Sequence, residues 1–505
     1  MNLISTRDKK EKVSALQAVL QGIAKNGGLF VPETFPELDM QKAAEATEQG
    51  YDTLCTYILS LFFDLPQEQL EAITKSAYSS FDTPEIVPLH ALADNEFIME
   101  LTHGPTLAFK DMALQVLPRL TQAALDHSSA KGDILVLTAT SGDTGKAALE
   151  GFKDVDRTAI YVFYPENGVA PMQKLQMVTQ TGDNTGVCGV KGNFDDAQTG
   201  VKKLFADSSF RRRAGQRGFK LSSANSINFG RLVPQIAYYV FAYTKMMEWN
   251  VVAEGETVNF AVPTGNFGNI LAAFYAREMG LPVNRLICAS NENNVLTDFF
   301  QTGVYDADRA LHKTMSPSMD ILISSNLERF LFELSGRDDN AVRLWMMKLQ
   351  ARGKFSVPVD LRSAMNDLIW ASWCTDTTAG QVLQEVYVGY GYLMDPHTAV
   401  AQAAFREYRA STGDMRPTVT VSTANPYKFT RDVLYAIMGI HVEDPFEAAR
   451  QLSWFTHTQI PPQIADLEQK PVLHDGSVEQ SGMEQAVVDF MKEHNPKSKP
   501  GDVKQ

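Results

Sequence analysis

Residues 134–152 read ILVLTATSGDTGKAALEGF. Ile134–Thr138 is short, apolar and rich in β-branched residues, so it predicts a buried strand. Gly142 and Gly145 break the run, and Lys146–Phe152 then has helical spacing. The same order recurs along the chain. Ile160–Tyr164 is another apolar run, and Val258–Val262 leads through glycines into a helical stretch, Ile270–Met279. Arg285–Ala289 and Thr418–Ser422 are further strand candidates. Short strands alternating with helices predict an α/β fold with parallel sheets.

The flanks have a different texture. Glu11–Ala24 has apolar residues at helical spacing and reads as a helix stopped by Asn26-Gly27-Gly28. Residues 40–80 are again helical by pattern, which predicts a helix-rich amino-terminal subdomain. Met394–Arg409 opens with Asp395-Pro396 and continues as an amphipathic helix. The expected division is 1–95, helix-rich; 96–235 and 236–465, each α/β; and 466–505, a carboxy-terminal extension. Its polar, proline-bearing end after Glu493 is expected to be mobile.

The 505 residues carry a net charge of −14. That balance argues against a nucleic-acid partner, since phosphate contacts need a basic face. The basic run Arg211–Arg213 reads as a solvated helix face. Cys55, Cys188, Cys288 and Cys374 lie far apart, without metal or redox spacing, and read as free thiols in a reducing compartment. The apolar run Tyr57–Phe63 is too short to span a bilayer. With no leader pattern at Met1, the expectation is a cytoplasmic protein without membrane or nucleic-acid partners. His90, His103, His127, His312 and His397 show no metal-ligand spacing, so no metal site is expected.

Three motifs bear on chemistry. Gly265-Asn266-Phe267-Gly268-Asn269 follows a strand candidate and opens a helix. Unpaired N–H groups and the helix dipole suit an anion there, although an ordinary strand-to-helix turn fits the same spacing. Its G-x-x-G pattern differs from the dinucleotide fingerprint. Thr140-Ser141-Gly142-Asp143-Thr144-Gly145 offers hydroxyls and N–H groups suited to a carboxylate or phosphate. It is no Walker loop, because Ala147 stands where the metal-binding hydroxyl would be. In His103-Gly104-Pro105-Thr106-Leu107-Ala108-Phe109-Lys110-Asp111, a lysine follows a Gly-Pro turn in an apolar run. Burial would lower its pKa and expose a nucleophilic amine, while a solvated lysine is the commoner meaning of such a residue. A phosphate cup, a carboxylate loop and a candidate Schiff-base lysine together are what a pyridoxal-phosphate site requires.

In the order in which they occur, several blocks make the sequence resemble the threonine synthase family of the long bacterial and fungal type. They are Ser5-Thr6-Arg7, residues 27–32 (GGLFVP), HGPTLAFKD, SGDTG, residues 225–235 (NSINFGRLVPQ), PTGNFGN, Asp395-Pro396-His397-Thr398-Ala399 and residues 422–429 (STANPYKF). The resemblance runs from the amino terminus to at least residue 430 and implies the fold type II architecture of pyridoxal-phosphate enzymes, similar to tryptophan synthase β. By that resemblance Lys110 carries pyridoxal 5′-phosphate as a Schiff base, Gly265 to Asn269 cup its phosphate, and Thr423 hydrogen-bonds the pyridine nitrogen. Ser141, Gly142, Asp143 and Thr144 would hold the substrate carboxylate, and Asn228 and Arg231 the substrate phosphate. Related β-elimination enzymes usually carry Asn where this chain has Asp143, and the family often has glycine at Asp8.

The implied reaction turns O-phosphohomoserine and water into threonine and phosphate by γ-elimination and β-addition of water. Alternatives are a threonine dehydratase or O-phosphohomoserine phospho-lyase of the same fold, or a non-catalytic paralogue that only binds. A monomer or homodimer, free of the S-adenosylmethionine control of the plant relatives, is what the resemblance implies.

Overall fold

The strand ending at Ala139 is followed by a helix that starts at Asp143, with Gly142 at its cap, as the alternation predicts. The computed structural model describes residues 1–128, 132–140, 142–166 and 169–494. Ser141 and the expected mobile tail at 495–505 lie outside the described residues.

The chain opens with an antiparallel sheet of β1 (Asn2–Ser5), β2 (Asp8–Ser14) and β3 (Phe30–Pro32), ordered β2-β1-β3. This corrects the helix expected over Glu11–Ala24. Lys12, Val13 and Ser14 pair with β1 in the register Leu3↔Val13, and the helix spans only Ala15–Gln21. Ser14 and Gln17 form a reciprocal capping box that sets its start, and Gly22 at φ 71° ends it. Three helices follow, Met40–Gln49, Tyr51–Phe62 and Gln67–Tyr78, where the pattern over 40–80 places them.

Next come β4 (Leu89–Ala93) and β5 (Glu96–Glu100), an antiparallel hairpin. Then β6 (Asp133–Ala139), β7 (Thr158–Pro165), β8 (Thr185–Val190) and β9 (Phe219–Ser222) build a parallel sheet. The chain continues with β10 (Val258–Pro263) and β11 (Val283–Ser290), the small hairpin β12 (Val304–Asp306) and β13 (Lys354–Ser356), and β14 (Ile369–Trp373). The last strands are β15 (Thr418–Ser422) and β16 (Ser477–Val478).

Two sheets dominate. One has six strands in the order β14-β11-β10-β15-β5-β4, parallel except for β4. The other runs β16-β8-β7-β6-β9, all parallel. Every residue of β7 and β10 is buried, as central strands covered on both faces require. The six-stranded sheet packs against the helix Pro396–Thr412, whose start Asp395 caps by accepting from the N–H groups of His397 and Thr398. Helices 194–206 and 208–216 and the terminal helix Met483–Glu493 cover the five-stranded sheet, and Phe490 lies 5.0 Å from Tyr161. Arg211 and Arg212 are exposed on the second of these helices, as a solvated face should be, whereas Arg213 is half-buried and pairs with Glu484.

Candidate active site

Lys110 lies on the loop that follows β5, at the end of the six-stranded sheet. The loop leaving β5 lies against the segment leaving β15. Leu101 N–H donates to Ser422 O, Phe109 N–H to Thr423 O, and Asn425 N–H to Leu107 O, at 3.1, 2.9 and 3.0 Å. This zipper brings Lys110 alongside Thr423. Asp111 fixes the turn before it: its carboxylate accepts from Thr106 N–H at 2.8 Å and Thr106 Oγ1 at 2.7 Å. Gly104 is needed there, since a Cβ would stand 2.5 Å from the Asp111 side chain. Burial pushes the Asp111 carboxyl up to about 6.

The Lys110 side chain is buried, with Nζ 4.7 Å from the Phe109 ring centroid and 3.7 Å from Asp143 Oδ2. Burial brings its pKa down to about 8; Arg231 and Lys428 push the same way, and Asp143 and Asp111 oppose them.

Asp143 occupies the first turn of the helix Asp143–Phe152. Its Oδ1 accepts from Lys428 Nζ and from Gln173 Nε2, both at 2.8 Å, and its Oδ2 from Ser318 Oγ at 3.2 Å. Burial works against ionisation, but the two lysines outweigh it and hold the carboxyl well below the usual range. Lys428 is fully enclosed and also donates to Thr106 O at 2.7 Å. Behind Ser318, its N–H donates to His397 Nε2 at 3.1 Å, and His397 Nδ1 lies 2.7 Å from Asp395 Oδ1. The ring can accept at Nε2 only if Nδ1 carries the proton toward Asp395, so the peptide N–H fixes the tautomer.

The helix start at Gly142–Gly145 is more closed than its spacing suggests. Thr140 Oγ1 accepts from Gly142 N–H at 3.0 Å and Gly145 N–H at 2.9 Å, which removes two of the donors expected to face a ligand. Gly142 has φ 154°, and a Cβ there would lie 2.4 Å from Gln173 Oε1. Thr144 is half-buried in the helix's first turn.

The second loop connects β10 to the helix Gly268–Glu278. Phe267 adopts φ 59° and packs between Phe300 and Phe330, so it turns the chain into the helix and anchors it. Ser324 Oγ donates to Gly265 O at 2.7 Å, and Asn326 donates through N–H and Nδ2 to Asn266 O, each at 3.1 Å. Asn269 Oδ1 accepts from both Tyr238 and Tyr239 hydroxyls at 2.6 Å, while its Nδ2 is buried without a partner. A buried amide donor left unsatisfied costs about 1–3 kcal/mol, which a bound acceptor would relieve. Gly265 approaches the Asp143 cluster directly, for a Cβ on it would sit 2.9 Å from Ser318 O.

Asn228 and Arg231 part company. The Asn228 amide donates to Val19 O at 3.0 Å and Ser223 O at 3.3 Å and accepts from Gly230 N–H at 2.9 Å, so it ties its own turn to the helix Ala15–Gln21. Arg231 is a buried guanidinium that donates to Ala224 O at 3.0 Å and forms no ion pair among the described residues; burial lowers it to about 10. His103 pairs with Asp82 at 2.7 Å and Glu100 at 2.9 Å. The sequence reading assigned nothing to Lys428, Gln173, Ser318 or His397. Lys428 and His397 lie inside the quoted blocks STANPYKF and DPHTA, which was the available signal.

The described residues contain no cluster of His, Cys, Asp or Glu able to hold a metal, and no helix long and apolar enough to cross a membrane. The fold superposes on the crystal structure of pyridoxal-phosphate-bound threonine synthase from Brucella melitensis with a TM-score of 0.87 and 34% identity, covering 99% of this chain and 100% of that one. The chain therefore has the fold type II architecture of the pyridoxal-phosphate enzymes. Residues 2–78 match the family described as threonine synthase N terminus and residues 398–480 the one described as threonine synthase, C-terminal. Threonine synthase of Pseudomonas aeruginosa is 40% identical over 88% of this chain and 94% of its own length. The chain belongs to the threonine synthase family. Human threonine synthase-like 1 is 39% identical over 86% of the chain, which spans 60% of that relative's length.

Proposed function

We propose that the chain converts O-phospho-L-homoserine and water into L-threonine and phosphate, with pyridoxal 5′-phosphate carried on Lys110 as a Schiff base. The observation that carries this reading is the buried Lys110 amine, with its pKa brought down to about 8 and held 3.7 Å from Asp143, in a chain of this family. The residues fit the cofactor: a nucleophilic amine, a helix-opening loop whose Asn269 Nδ2 has no partner, and a hydroxyl at Thr423 beside the lysine loop. When bound, the cofactor supplies a conjugated ring that delocalises the electron pair left by removal of a proton.

Lys110 Nζ takes the α-proton of the substrate and returns a proton later in the sequence. Gly265, Asn266, Phe267, Gly268 and Asn269 hold the cofactor phosphate at the helix start. Thr423 is assigned to the ring nitrogen. Of the four residues Ser141, Gly142, Asp143 and Thr144, Gly142 shapes the turn, its N–H being held by Thr140 Oγ1, and the other three are assigned to the substrate carboxylate, through backbone rather than through the ionised Asp143 side chain, which would repel it. Arg231, a buried cation without a counter-ion among the described residues, is assigned to the substrate phosphate. Asn228 supports it by capping the turn Phe229–Leu232.

The four free cysteines support a cytoplasmic setting. A division by sheet is proposed in place of one by segment: 89–100 goes with the six-stranded sheet, and 477–493 with the five-stranded one. Incubation of the purified protein with O-phosphohomoserine should release threonine and phosphate in equal amounts; 2-oxobutanoate without threonine would defeat the synthase reading.

A further inference from the structure

We propose that Lys428 is a positioning residue that holds the Asp143 carboxylate off the Lys110 amine and so leaves that amine free to react. The inference rests on the reading of Lys110 as the cofactor lysine. Asp143 is the only carboxylate shown paired with Lys110 among the described residues, and the two stand short of a hydrogen-bonded ion pair. The restraint comes from elsewhere. Lys428 and Gln173 both donate to Oδ1 at 2.8 Å, and Ser318 donates to Oδ2 at 3.2 Å. With these three in place, Oδ2 stops 3.7 Å from Lys110 Nζ, outside hydrogen-bonding distance.

Lys428 is the restraint that also reaches the lysine's loop. It donates to Thr106 O at 2.7 Å, and Thr106 is bonded twice to Asp111, the residue after Lys110. One side chain on the segment Pro426–Phe429 therefore registers both the carboxylate and the loop bearing the amine. Its charge acts in the same sense as its position, since it repels a proton on Lys110 while neutralising Asp143. The charged groups that act on Lys110 are Asp143, Arg231, Lys428 and Asp111.

The test is competitive labelling of the full chain, freed of cofactor, with a trace amine-acylating reagent across the pH range. The Lys110 peptide is quantified in the parent protein, Lys428→Met, Lys428→Arg, Asp143→Asn and the Asp143→Asn/Lys428→Met double variant. In Lys428→Met, Asp143 closes on Lys110, so labelling at neutral pH falls about tenfold, one pH unit of midpoint. Lys428→Arg keeps the charge and restores most of the rate. In the Asp143→Asn background the same Met substitution shifts the midpoint by less than half as much, because the carboxylate it restrained is gone.

An unchanged Lys110 midpoint in folded Lys428→Met, or an undiminished shift in the Asp143→Asn background, overturns the proposal. Should Lys428→Met not fold, a Lys428→Arg protein with a midpoint raised by a full unit overturns it instead, and a parent-like midpoint supports it. The visible absorbance of the loaded enzyme, titrated with pH, gives a second readout and should shift in the same order of variants. Hydride trapping that places the pyridoxyl group on another peptide would defeat the reading of Lys110 and leave the labelling cycle intact.

Discussion

Lys110 and Lys428 reach the same carboxylate from opposite sides and are set up for opposite work. Lys428 is fully enclosed and spends its donors on Asp143 Oδ1 and Thr106 O at 2.8 and 2.7 Å. Lys110 is slightly exposed and faces Oδ2 at 3.7 Å, with the Phe109 ring centroid 4.7 Å from its Nζ. A lysine becomes a nucleophile when its proton is poorly paid for by partners; burial alone does not achieve that. Lys428 is the more deeply buried of the two, yet its acceptors satisfy it. The difference between the residues is one of hydrogen bonding, and each experiment below attacks it from one side.

The largest effect should come from Lys110→Ala. Loss of the amine removes both the covalent anchor and the base, so turnover should fall by about 10³-fold or more. Hydride reduction of the loaded protein should label the peptide containing Lys110 in the parent and nothing there in the variant. A pyridoxyl group recovered on the peptide containing Lys428 would reverse the assignment of the two lysines.

Stability should separate them next. Asp143→Ala leaves two buried cations without their shared counter-ion and should cost about 3–5 kcal/mol in denaturant unfolding of the cofactor-free protein. Lys428→Met leaves Asp143 one cation, Lys110, and should cost clearly less. Equal losses would mean that Lys110 contributes nothing to holding the carboxylate ionised.

What the sequence made legible follows this same line. Strand–glycine–helix alternation located β6, β7, β10, β11 and β15 because buried parallel strands are short apolar runs, and that pattern is local. Lys110 was legible through a block of neighbouring residues. The strand β2 was not, because its charged face gives DKKEKVS no apolar alternation and its pairing with β1 is a tertiary fact. Lys428, 318 residues further along the chain than Lys110, was illegible as a partner for a related reason: no periodicity links the two, and only the zipper between β5 and β15 brings them together. Asn228 shows the same limit from the other side: the block that holds it gives no sign that its amide bonds to Val19 O, 209 residues away, as well as to Ser223 O and Gly230 N–H.

A smaller effect should follow Asn269→Asp. The variant keeps an acceptor for the Tyr238 and Tyr239 hydroxyls while replacing the unpartnered Nδ2 with an oxygen. A phosphate at this loop would lose a donor and gain a repulsion, so pyridoxal-phosphate affinity in equilibrium binding should fall at least about tenfold. The Lys110 labelling midpoint should stay at its parent value, since this loop touches neither lysine's hydrogen bonds. A raised midpoint would mean that the added negative charge reaches Lys110 and that the two halves of the site are coupled.

The smallest effect expected is that of Ser318→Ala, and it probes the Lys110 side of the comparison alone. Ser318 Oγ donates to Oδ2, the oxygen that faces Lys110, and leaves Oδ1 with Lys428 and Gln173 untouched. A hydrogen bond from a hydroxyl to an ionised carboxylate contributes about 1.5–3 kcal/mol, so its loss concentrates charge on Oδ2. That charge favours the protonated amine, which moves the Lys110 midpoint upward from about 8 and makes the labelling rate at neutral pH fall by a few-fold. The sign is the informative part: at pH 7.5 a lysine with its midpoint at 8 is about one-quarter neutral, so any upward shift reduces the reactive fraction almost in proportion. A downward shift would mean that the hydroxyl holds Oδ2 toward Lys110 instead of competing for it, and the carboxylate would then be restrained by Lys428 and Gln173 alone.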